Sequence, residues 1–186
     1  MNFRAAIIDL DGVMLDSLGV WSEIDTDFVR RYNLKNGPEI VERLKRTTSL
    51  LAAGHYLREE CGHPNTPEEI AEEFVNLLGE HYKHTLQLFP GVLEKLGELK
   101  EAGIRLAMVT ASPEIHARPA AERTGIIGFF DKIYYDESKT TPGIFRRAAD
   151  ELGATIDTTV VIDDNPRLRA VAESAGFRTF PSLASI

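Results

Sequence analysis

Two aspartates, Asp9 and Asp11, stand one residue apart where the apolar run Ala5–Ile8 ends, and Gly12 follows at once. In an extended chain, residues two apart point the same way. Two carboxylates so placed concentrate negative charge, which is costly unless a cation or a proton shares it. Further chemistry-bearing residues follow later apolar runs in the same manner. Thr110, Ala111 and Ser112 follow residues 104–109, Lys139 comes after residues 133–135, and Asp163 and Asp164 follow residues 160–162. Carboxylates in this number suit a hard divalent cation. Mg²⁺ in particular takes a few carboxylates together with water and a substrate phosphate. The Thr110 hydroxyl, with the backbone N–H groups opening a helix at Ser112 and Pro113, makes an anion site, to which Lys139 adds positive charge. An acid-held metal beside an anion pocket is suited to phosphoryl transfer.

Positioning these groups requires a repeated scaffold, and the sequence carries one. Residues 90–103, 113–125, 142–153 and 166–176 each begin with proline and end with glycine. Proline suits the start of a helix and glycine the left-handed residue just past its end. Ser112, Thr141 and Asn165 precede three of those prolines, where an N-cap oxygen belongs. An apolar run follows each glycine, at residues 104–109, 126–135 (less regular), 160–162 and 177–180. Helices alternating with short buried strands predict an α/β fold, with a parallel sheet covered by helices on both faces. Open sheets of this kind bind ligands at the carboxyl ends of their strands. Asp9, Asp11, Thr110, Lys139, Asp163 and Asp164 all fall at such ends.

Residues 16–86 interrupt the alternation. They hold no convincing strand and several amphipathic patterns, one through Trp21, Ile24, Phe28 and Tyr32, another through Ile70, Phe74, Leu77 and Leu78. Thr66-Pro67-Glu68-Glu69 reads as a capping box. The expected organisation is an α/β core of residues 1–15 and 87–186 with a helical insertion at 16–86. Composition is that of an ordinary globular chain: 186 residues, 43% hydrophobic and 27% charged. A net charge of -8 argues against a broad nucleic-acid surface. No stretch reaches the length of a membrane span, and the first strand starts too early for a signal peptide. Cys61 is the only cysteine, so no disulfide framework is expected and a cytoplasmic location is the natural reading.

The residues just named resemble the motifs of the haloacid dehalogenase superfamily, in its subfamily with a helical cap after the first strand, the group of phosphoglycolate phosphatases and β-phosphoglucomutases. Asp9-Leu10-Asp11-Gly12-Val13-Met14-Leu15-Asp16-Ser17 is similar to the first motif, and Val109-Thr110-Ala111-Ser112 to the second. Lys139 with Pro142 and Phe145 resembles the third, and Ile162-Asp163-Asp164-Asn165 with Ala175-Gly176 the fourth. Phe89-Pro90-Gly91 is similar to the family's return into the core. The resemblance implies a Rossmann-like doubly wound core with an inserted helical cap. It also implies that Asp9 is the nucleophile, forming an aspartyl phosphate, and that Asp11 is the general acid and base. Mg²⁺ would be held by the Asp9 carboxylate, the Asp11 backbone carbonyl and Asp164, with Asp163 assisting. Thr110, Ala111, Ser112 and Lys139 would bind the phosphoryl group of a small phosphorylated metabolite. Two positions depart from the pattern: Thr140 stands where proline is usual, and Leu168 where glycine or an acid is usual.

Asp11 favours a phosphatase over a dehalogenase, because an alcohol leaving group needs a proton and a halide does not. A sugar phosphomutase is the nearest alternative, but Trp21 occupies the place where such mutases carry a histidine. A catalytically silent phosphate-binding protein or a receiver-like signalling module would share several of these groups. In a receiver, however, the acidic pair follows the first strand, whereas here it comes late. Arg43, Lys45 and Arg46, followed by Thr47, Thr48 and Ser49, read either as a solvated helix face or, at Arg43 and Arg46, as contacts to the leaving group. Trp21 is a further specificity candidate that also suits the core of the cap. His81 and His84 lack a third metal ligand nearby in sequence, and Cys61 and His63 read as packing residues.

Overall fold

Four of the five strands in the computed structural model begin on or beside an apolar run that follows a glycine, and the fifth is the run before Asp9. The structure describes residues 3–47 and 49–186; Thr48 of the basic segment lies outside them. Strands β1 (Ala5–Ile8), β2 (Arg105–Val109), β3 (Lys132–Tyr134), β4 (Thr159–Ile162) and β5 (Arg178–Phe180) form one parallel sheet in the order β3-β2-β1-β4-β5. The chain winds outward from β1 to β3, then returns to the other side of β1 for β4 and β5. The switch point therefore lies beside β1, where ligands bind in such sheets.

Four helices cover the sheet: α5 (Val92–Glu101), α6 (Glu114–Arg123), α7 (Gly143–Glu151) and α8 (Pro166–Ser174). Ala5, Ile7, Ala107, Val109 and Val161 pack on one face with Ile144, Phe145 and Ala148 of α7, Ala172 of α8 and Phe177. The alternate residues Ala6, Ile8, Leu106, Met108, Val160 and Ile162 are equally buried. Burial on both faces explains why these strands read as unbroken apolar runs. The irregular third run is also explained: residues 127–129 form a 3-10 turn, and only Lys132–Tyr134 join the sheet.

Between β1 and α5 lie α1 (Leu18–Arg31), α2 (Gly37–Leu44), α3 (Leu50–Glu59) and α4 (Pro67–His84). Contacts divide the chain into two compact units, residues 17–85 and the remainder. The helical unit has its own core, in which Phe28 and Phe74 stack with ring centroids 4.5 Å apart. The Thr66–Glu69 capping box forms: the Glu69 N–H donates to Thr66 Oγ1 and the Thr66 N–H to Glu69 Oε2. Gly54 lets α3 approach α4 closely, since a Cβ there would lie 2.3 Å from the Pro67 carbonyl oxygen. In the sheet unit the departing and returning segments run side by side. Leu15 pairs with Leu88, and the Phe89 N–H donates to the Met14 carbonyl.

Candidate active site

Parallel register brings the acids together. Ile8 is paired with Met108 on one side and Ile162 on the other, so the next residues, Asp9 and Asp163, leave adjacent strand ends. Lys139 bridges them, its Nζ 2.6 Å from Asp9 Oδ2 and 2.6 Å from Asp163 Oδ2. The lysine side chain is only 3% exposed. Each carboxylate has a second anchor: Asp9 Oδ1 accepts from the Leu10 N–H at 2.8 Å and Asp163 Oδ1 from the Asn165 N–H at 2.9 Å. Asp164 is half-buried beside them. Asp9, Asp163 and Asp164 each offer an oxygen within 4.8 Å of the other two.

This donor set fits Mg²⁺. All of its atoms are hard carboxylate oxygens, and Asp11 adds a fourth negative charge near Asp9 and Asp164. Burial pushes the Asp9 carboxyl up to about 8; Lys139 pulls it down and Asp163 pushes it further up. Burial also raises Asp164, with Asp163 adding to the effect. Burial works against the charge on Lys139, yet Asp9 and Asp163 hold the ammonium above its ordinary range. The cluster is short of positive charge. Gly12 supplies the room: its φ is +74°, and a Cβ there would lie 2.6 Å from Asp164 Oδ2. A side chain at this position would displace that carboxylate.

The turn after β2 differs from its sequence reading. Buried Thr110 donates its N–H to the Tyr134 carbonyl, and its Oγ1 accepts from the Ser112 N–H at 3.0 Å. Pro113 has no N–H, and the Glu114 N–H donates to Asp136 Oδ2 at 3.0 Å. The amides expected to open an anion site at Ser112 and Pro113 are thus otherwise engaged, while the Ala111 N–H has no internal partner among the described residues. Ser112 does not cap α6, whose N-cap is Pro113, and Thr141 does not cap α7, whose N-cap is Pro142. Of these three residues only Asn165 caps as expected, accepting from the Arg167 N–H at 3.0 Å. Ser112 instead donates its hydroxyl to Asp11 Oδ2 at 2.6 Å.

The remaining candidates lie in the helical unit. Arg43 is exposed, its guanidinium 5.3 Å from the centre of the Tyr56 ring. Arg46 is exposed, Trp21 is half-buried, and Lys45 pairs with Glu42 at 2.7 Å. His81 contacts Thr85 and His84 contacts Glu80; neither joins the acidic trio. His63 packs against Phe28 and Tyr32.

A sequence profile of the haloacid dehalogenase-like hydrolases matches residues 3–176. The chain belongs to that family. It is 31% identical over 160 residues to protein CbbY of Cereibacter sphaeroides, a match covering 77% of this chain and 67% of that protein. It is 24% identical over 181 residues to hexitol phosphatase B of Escherichia coli (strain K12), covering 94% and 81%. The crystal structure of β-phosphoglucomutase from Clostridium difficile shares the fold, with a TM-score of 0.73 at 22% identity over 95% of this chain and 83% of that one. In this haloacid dehalogenase-like hydrolase the two departures from pattern leave the cluster intact. Thr140 is exposed and hydrogen-bonds Ser138, while Lys139 beside it is seated between its acids. Leu168 is half-buried on α8.

Two supporting residues escaped the sequence reading. Arg169 Nη1 donates to the carbonyls of Asp163 and Asp164 at 2.7 and 2.8 Å. Its signal is a cation in the first turns of a helix, where the macrodipole disfavours one. Asp136, at φ 55°, holds the start of α6; its signal is an aspartate directly after the apolar run 126–135, a residue tolerant of left-handed backbone.

Proposed function

We propose that this hydrolase is a Mg²⁺-dependent phosphatase of small phosphomonoesters working through an aspartyl phosphate on Asp9. The observation that carries the reading is the buried Asp9–Lys139–Asp163 bridge with Asp164 within reach of both acids. The phosphatase name of the Escherichia coli relative supports it.

Asp9 attacks phosphorus, and the bond to the leaving oxygen breaks as Asp11 gives it a proton. Water then attacks the aspartyl phosphate, Asp11 takes the water's proton, and Asp9 and inorganic phosphate are released. Such proton transfer contributes about 10²–10⁴-fold. Lys139, the Thr110 hydroxyl and the Ala111 N–H stabilise the phosphoryl oxygens where charge develops. Asp9, the Asp11 carbonyl and Asp164, with Asp163 assisting, would hold Mg²⁺. When bound, Mg²⁺ offsets the cluster's negative charge and acts as a Lewis acid toward phosphate oxygen. The helical unit closes over the substrate as a cap, with Arg43, Arg46 and Trp21 as candidate contacts to the leaving group.

The test is phosphate release from a panel of sugar, nucleotide and short-acid phosphates. Mg²⁺-dependent release is expected, abolished by EDTA and restored by added Mg²⁺. Asp9→Asn lowers turnover at least about 10³-fold with an unchanged circular dichroism spectrum. Near-normal release by that variant, or indifference to chelation, overturns the reading. A sugar phosphate converted to its isomer without phosphate release would establish a mutase instead.

A further inference from the structure

We propose that Ser112 is a positioning residue for Asp11 and not a ligand of the phosphoryl group; the inference rests on the phosphatase reading above. Ser112 is 9% exposed, and each of its polar groups has a partner within the sheet unit. Its N–H donates to Thr110 Oγ1 at 3.0 Å, and its carbonyl accepts from the Asp136 N–H at 3.2 Å. Its hydroxyl donates to Asp11 Oδ2 at 2.6 Å. A serine hydroxyl carries one proton. Phosphoryl oxygens accept hydrogen bonds, so a hydroxyl that gives its proton to Asp11 has none for them.

The neighbouring turn is built to release Ser112 for this task. A hydroxyl ahead of a helix ordinarily accepts from the helix's first amides. Here Asp136 takes the Glu114 N–H, and the Asp136 N–H binds the Ser112 carbonyl. One loop thus caps α6 and fixes the Ser112 backbone together. With Oδ2 of Asp11 held by the serine, Oδ1 is the oxygen that carries the transferable proton. In the first half-reaction the Asp9–phosphorus bond forms, the ester bond breaks, and the Oδ1 proton passes to the leaving oxygen. In the second, water replaces Asp9 on phosphorus and its proton returns to Oδ1.

A residue that acts through the general acid matters in proportion to the leaving group's need for a proton. The experiment compares kcat/KM for Ser112→Ala and Ser112→Thr on glycerol 2-phosphate, whose alkoxide leaves poorly, and p-nitrophenyl phosphate, whose phenolate leaves unaided. Inhibition by inorganic phosphate is measured alongside. For Ser112→Ala, kcat/KM falls about 10–100-fold on the alkyl ester, of the order expected for impaired general-acid catalysis. It falls less than about threefold on the aryl ester, with phosphate inhibition unchanged, and Ser112→Thr restores the alkyl reaction. Equal losses on both esters with weakened phosphate inhibition would make Ser112 a phosphate ligand and overturn the proposal. No loss on either would overturn it too. Wild-type activity absent from Asp9→Asn supports the parent reading independently: with that in hand, a uniform loss sinks the Ser112 assignment alone. Without it, both fall.

Discussion

Lys139 bridges two buried carboxylates at once, and no exposed surface charge could replace it. Removing one partner of a buried ion pair strands the other, and here Lys139→Ala would strand both Asp9 and Asp163. The expected cost is about 3–5 kcal/mol in urea unfolding without metal, partly recovered when Mg²⁺ is added. A stability equal to wild type would show that the bridge is not formed in solution. At this scale the sequence is legible in residue type and order. The acids and Thr110 can be picked out because they sit at the ends of apolar runs, and Lys139 because it follows one a few residues on. Hydrogen-bond partners were not legible. A serine ahead of a helix suggests a cap, but here Asp136, in a left-handed turn beyond β3, takes the Glu114 N–H, and the Ser112 hydroxyl donates to Asp11.

Helix α8 illustrates what an element adds to its residues. Asn165 caps it, and Arg169, one turn on, reaches back to the carbonyls of Asp163 and Asp164. The helix thereby fixes the backbone of the acidic pair, as outer partners fix metal ligands elsewhere. Arg169→Leu is expected to weaken Mg²⁺ binding about tenfold, within the range seen when such partners are lost, as measured by calorimetric titration, while helix content stays constant. Unchanged affinity would reduce the arginine to a helix-surface residue. Strands and helices of the sheet unit were readable from apolar runs punctuated by proline and glycine. Their starts were not: α6 and α7 begin one residue beyond the expected prolines, which act as N-caps and not as first helical residues. A proline sets its own φ, but loop contacts decide whether the helix includes it.

At the scale of the whole molecule, two units with separate cores can differ in how their stability responds to conditions. The sheet unit buries Asp9, Lys139 and Asp163 in one cluster, whereas the helical unit buries Asp25 on α1. Burial pushes that carboxyl up to about 7, with Lys45 opposing only in part. The folded form therefore keeps a proton that the unfolded chain, with an ordinary aspartate, has lost. Native protons in excess mean that stability falls as pH rises between the unfolded and folded values. His63 acts in the opposite sense: burial lowers its pKa, so its contribution weakens as pH falls below the ordinary histidine value. A single pH profile of wild type would mix the two, and the difference between wild type and Asp25→Asn isolates the first. The asparagine variant should be the more stable at pH 8, and its advantage should shrink by about 3 kcal/mol on moving to pH 5. Hydrogen exchange of amides in α1 and α4 reads this for the helical unit by itself. An advantage constant across that range would mean that Asp25 ionises in the folded protein as readily as in water.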